Sequence, residues 1–174
     1  MTLNPRIKPI IFKALLISAV LTSPFSVTAN ELPLKLAIIK DTVGSEYIVS
    51  GDLSSGINRL KRINMFEKTF ENNMSLCVAY IKLNNVDKSE SACSAAIKST
   101  KSMPLHNEQA IYLKSLSYSN RGIARYLGQD LSGAIADLTT AISINSNVIT
   151  KSNLRLISDL SVEPNESTTS QISG

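Results

Sequence analysis

Tryptophan is absent from this 174-residue chain, and aromatic residues make up only 5% of it. Any core must therefore be filled mostly by Leu, Ile, Val and Ala, which suits packed helices. Seven glycines and six prolines are too few for a turn-rich sheet protein. There is one histidine, His106, which excludes multi-histidine metal sites. The glycines at 44, 51, 56, 122, 128 and 133 never form G-x-G-x-x-G or G-x-x-x-x-G-K-[ST], so no phosphate cradle is written in the chain. No G-x-S-x-G string accompanies His106, which leaves it as a solvated loop histidine and makes a small Ser–His hydrolase a remote alternative. The apolar fraction of 43% and charged fraction of 18% suit one globular domain.

The first residues read as an address. Arg6, Lys8 and Lys13 precede the apolar run 14–21, and Ser26-Val27-Thr28-Ala29 offers small residues before Asn30. This pattern predicts a cleavable secretory signal peptide over 1–29. The apolar run is too short to span roughly 30 Å of hydrocarbon, so no membrane span is expected after cleavage. No Cys stands at the cleavage point, which argues against a lipoprotein. Cleavage would leave 15 basic and 14 acidic residues, so the formal charge of +4 says little about nucleic acid. Lys61-Arg62 is a short basic pair on a solvated helix face, and no basic stripe with interleaved aromatics marks a nucleic-acid binder.

After the signal, residues 30–43 fit two readings. Leu34, Leu36 and Ile38 alternate as in a strand or extended arm, whereas Leu34, Ala37, Ile38 and Asp41 would suit one or two helical turns. Beyond it the chain reads as helical hairpins over about 44–63, 74–98 and 107–145, with breaks at Ser50-Gly51-Asp52, Asn84-Asn85 and Gly128-Gln129-Asp130. Ser45, Asn107 and Asp130 are expected helix caps. Residues 64–73 read as a connector, 147–160 as a closing helix, and 161–174, poor in apolar residues, as a disordered tail.

The hairpin over 118–145 has the clearest pattern. Tyr118 and Gly122 stand on its first helix, and Ala134, Leu138 and Ala141 on its second, with small residues where the helices would cross. It resembles a tetratricopeptide repeat (TPR), a 34-residue helix–turn–helix unit. Arg125 and Ser146 depart from the family pattern, at places where an aromatic and a proline are usual. The resemblance covers roughly 44–160 and is fair in the middle hairpin and weak in the first. Between the second and third hairpins the spacing exceeds the family period by about 11 residues.

The resemblance implies an all-α stack of about three hairpins, a right-handed TPR-like solenoid similar to small exported TPR proteins of Gram-negative bacteria. It implies a non-catalytic interaction module in the periplasm, either an adaptor for a protein or peptide or a self-associating scaffold, with no cofactor, no metal and no nucleic acid. It places Cys77 and Cys93 on facing sides of paired helices, where a disulfide is expected in an exported protein; two buried thiols are the alternative. It pairs Asp137 with Arg121 or Arg125. It also implies a ligand groove lined by Glu71, Met74, Val78, Ile81 and Lys82, then by Leu116, Ser119, Ile123, Tyr126 and Leu127, unless these side chains pack against neighbouring repeats or the arm. Of the Lys/Asn set that clamps a peptide carboxylate in some members, only Lys82 and Asn120 are present.

Overall fold

The computed structural model describes residues 33–64, 69–103 and 108–162. The signal-peptide reading, the start of the arm, His106, the Asn107 cap and residues 163–174 of the expected tail lie outside these. The described residues hold seven α-helices and no strand: α1 Ser45–Ser50, α2 Leu53–Asn64, α3 Phe70–Lys82, α4 Val86–Ser99, α5 Glu108–Leu127, α6 Leu131–Ile144 and α7 Val148–Val162. A single 3₁₀ turn, Thr100–Ser102, follows α4.

Helical spacing of small and apolar residues decides which faces are buried. Ile57 and Leu60 of α2 turn inward, as do Ser89, Cys93, Ala96 and Ile97 of α4, and Ala134, Leu138 and Ala141 of α6. α3 is buried almost all round, from Phe70 to Ile81. A helix with that pattern belongs in the middle of a protein, and α3 touches α1, α2, α4 and α5. Neighbours in sequence pack on each other throughout. In addition α1 touches α3, α3 touches α5, and α5 touches α7, so the odd-numbered helices form a row.

Side chains set where the helices begin. Asp130 Oδ1 accepts from Gly133 N at 2.9 Å, and Asn85 Oδ1 from Lys88 N at 3.2 Å. These contacts satisfy N–H groups that a helix start leaves without an internal partner. Ser45 is not the cap of α1. Gly44 holds that place with φ +85°, and the Ser45 hydroxyl donates instead to Thr42 O at 2.8 Å. The connector after α2 is shorter than the sequence suggests, because Thr69 caps α3 by accepting from Asn72 N at 3.2 Å, and Phe70 and Met74 are buried.

The α5–α6 pair shows why glycine stands at 122. A β-carbon there would lie 2.8 Å from Leu138 Cγ and 3.1 Å from the Ala134 carbonyl oxygen. Two ion pairs run up this hairpin, Arg125 with Asp130 near the turn and Arg121 with Asp137 farther along, so the helices run antiparallel. Arg121 grips Asp137 with two bonds of 2.7 Å, and Arg125 Nη1 reaches the same carboxylate at 3.1 Å. Arg121 also donates to Ser94 Oγ at 3.1 Å, and Arg125 to Glu90 Oε1 at 2.8 Å, which ties α4 to α5 and α6. The Asp137 hydrogen bond raises the Arg121 pKa above its ordinary value, against the opposing effect of burial. The Cys77 and Cys93 sulfurs lie at bonding distance, 2.06 Å, and join α3 to α4.

Candidate functional site

Residues 33–39 form no regular element. They are an extended arm lying against the odd-numbered helices, which settles the choice between strand-like and helical readings. An extended chain presents the N–H and C=O of residues i and i+2 to the same side. Lys35 and Ala37 are two apart, and each meets an asparagine. Asn153 Oδ1 accepts from Lys35 N at 2.8 Å, and its Nδ2 donates to Lys35 O at 2.9 Å. Asn120 does the same for Ala37, at 3.0 and 2.7 Å. Each side-chain amide thus exchanges both main-chain bonds of one residue, as a neighbouring strand would in a hydrogen-bonded antiparallel pair.

The two asparagines are fully buried, with no exposed surface. Such groups are costly to bury unless paired, and both are. Asn153 Nδ2 also reaches Ser119 Oγ at 2.9 Å, and Asn120 Nδ2 also faces Met74 Sδ at 3.6 Å. Asn120 comes from α5 and Asn153 from α7, so the two stations stand on neighbouring helices of the row. Adjacent helix axes lie roughly 8–10 Å apart, and two residues of extended chain advance about 6.6–6.8 Å. Asparagine side chains bridge that difference.

Side chains of the arm complete the core. Leu34 and Leu36 pack on Cys77, Ile81, Cys93, Ile123 and Ala124. Leu36 and Ile38 pack on the cluster holding Ile48, Leu60, Leu76 and Val78. Ala37 is buried with Phe70, Met74, Ala96 and Leu116, and Ile39 joins that group. The arm therefore passes α7, then α5, then α3, before a turn with Asp41 at φ +60° leads into α1. Its direction is opposite to the order of the helices.

The structure places the expected groove residues on this same row. Met74, Val78, Ile81, Leu116, Ser119 and Ile123 are buried, most of them in the clusters that receive the arm. Leu127 is half-buried against the same cluster as Leu34, and Tyr126 and Glu71 are half-buried. Lys82 does a different job. Its Nζ donates to Ile48 O at 3.1 Å and satisfies a carbonyl in the last turn of α1. Asn153 and its bond to the arm escaped the sequence reading. The signal was an asparagine, a mediocre helix former, at the midpoint of a helix and 33 residues after Asn120. On α3, the third helix that the arm passes, Ser75 stands 45 residues before Asn120. Its hydroxyl is buried and has no hydrogen-bond partner among the described residues.

Among the described residues no group of His, Cys, Asp and Glu is placed to hold a metal ion, and no helix is long and apolar enough to cross a membrane. An open cleft adjoins the start of the arm, lined by Pro33, Lys35, Val148, Lys151, Arg155 and Leu156. Together Asn120, Asn153 and the apolar clusters hold an extended main chain and bury its alternate apolar side chains. Compared with family models, curated proteins and solved structures, the chain gives no match.

Proposed function

We propose that this chain is a non-catalytic interaction module of the TPR type, exported to the periplasm, that holds a protein or peptide segment along the row α1–α3–α5–α7. The reading takes the paired helices as a short right-handed stack, with α7 as the closing helix. A stack of repeats needs its last apolar face covered by a more polar element, and α7 carries Arg155 and Asp159, both well exposed, on its outer side. The supporting observation is the double asparagine clamp on an extended main chain, because a surface that already grips one backbone segment has the chemistry to grip another.

Site-specific photo-crosslinking in cells tests the reading. A crosslinker at Tyr126 or Leu127, on the row, is expected to capture an envelope protein. The same group at Ser132 or Thr139, exposed on α6, is expected to capture little. Equal capture from both faces, or capture from α6 alone, would remove the groove from the account. Mass spectrometry of the protein recovered from the periplasm is expected to show an N-terminus at Asn30.

A further inference from the structure

We infer that the arm over residues 33–40 is a tethered occupant of the binding row, and that the row's partner is an extended peptide of the arm's own pattern. This rests on the module reading above and names the ligand class that the module takes.

The arm itself specifies the chemistry. Its main chain is read at two residues, Lys35 and Ala37, through bonds that any non-proline residue could supply. Its side chains are read by size. Leu34, Leu36 and Ile38 alternate into apolar clusters, whereas the place of Ala37, among Phe70, Met74, Ala96 and Leu116, takes a methyl group at 6% exposure. Lys35 is solvent-exposed, so its side chain is not selected. The occupant is thus an extended segment with apolar side chains at alternate positions around one small residue. That is the pattern of a β-strand before it is paired. Main-chain pairing plus pockets for alternate side chains is a general mode of peptide capture, supplied here by helix-borne amides in place of a sheet edge.

Covalent attachment makes the arm a strong competitor. A tethered segment acts at an effective concentration of about millimolar for a short linker, so a free peptide must work against that. Two features let the arm leave without unwinding a helix. It joins α1 through a turn rather than through continuous helix, and its own hydrogen bonds to the row are made to side chains, not to a backbone ladder.

The probe is a fluorescent peptide of the arm sequence, PLKLAIIK, added to the full chain with its own arm in place and read by anisotropy. Lys35→Pro removes one N–H donor from the arm and leaves the row untouched. Losing that bond is expected to make the probe bind about five- to tenfold more tightly than to the unaltered chain. Adding Asn153→Ala to Lys35→Pro is expected to cancel the gain, and a probe carrying Ala37→Leu is expected not to bind. No binding to any form, or no gain from Lys35→Pro, overturns the inference.

Hydrogen exchange on the unaltered chain gives a second reading should Lys35→Pro fail to fold. The amides of Lys35 and Ala37 are expected to exchange well before those at the centre of α5. Exchange in step with α5 makes the arm a fixed part of the core and overturns the inference. Sedimentation as a stable dimer with exchanged arms would make a second copy the occupant, which overturns it also. An arm that stays closed while row-side crosslinks persist defeats this inference alone. An arm that exchanges in a chain that never crosslinks defeats the adaptor reading alone.

Discussion

Four polar side chains in the interior carry different expectations at the residue scale. Ser75 buries a hydroxyl without a partner among the described residues. Ser75→Ala removes a desolvated group and substitutes a better helix former, so stability in urea is expected to rise by about 1 kcal/mol. A lower midpoint would mean that the hydroxyl is satisfied. Asp137 is the reverse case. It is 4% exposed and held by two arginines. Asp137→Ala would leave the partly buried Arg121 without a carboxylate, while Arg125 keeps Glu90, with an expected loss of about 3 kcal/mol. Asn120 and Asn153 are satisfied only while the arm is in place or something like it replaces it. Of these residues, Asp137 and its arginine partners were expected from the resemblance of the hairpin to a tetratricopeptide repeat. Ser75 and Asn153 were not, because a polar residue inside an apolar face carries no mark of whether a partner waits across the gap.

At the scale of the element, the α5–α6 crossing depends on one missing side chain. Gly122→Val would place a branched β-carbon against Leu138 and the Ala134 carbonyl. Overpacking of this kind typically costs about 1–3 kcal/mol, and thermal unfolding followed by circular dichroism would show it. The α6 cap predicts a pH dependence. The Asp130 pKa is lowered, first by the Gly133 N–H bond and further by Ser132 and Arg125. A carboxylate with a depressed folded-state pKa adds stability above its unfolded value, about 4, and loses that contribution as pH falls through the lower folded value. Asp130→Ala should therefore be less stable than the parent at pH 7, and the gap in urea midpoints should narrow as the pH falls through the lowered folded-state value. The disulfide pairing adds a third case. Cys77 and Cys93 are 16 apart, and reducing a crosslink over a loop of that length is expected to cost roughly 3 kcal/mol. Helical class, the break at Gly128-Gln129-Asp130 and the Asp130 cap follow from short-range spacing, so the sequence displays them. The start of α3 was harder to place, because Thr69 lies just after a stretch with little periodicity.

On the scale of the whole molecule, what joins the parts is the piece that sequence periodicity could not classify. Alternation of Leu34, Leu36 and Ile38 suited a strand, and their spacing suited a helix almost as well; only partners far along the chain decide. Those partners are Asn120 and Asn153, 83 and 118 residues from the arm residues that they hold. The chain's first described segment thus reports on the presence of the last described helix, and the distance in sequence has a cost in time. On a ribosome adding about 5–20 residues per second, Lys35 would emerge roughly 6–24 s before Asn153 exists to receive it. For that interval the arm is a bare apolar string with nowhere of its own to lie, open to any chaperone or neighbour that accepts such a string.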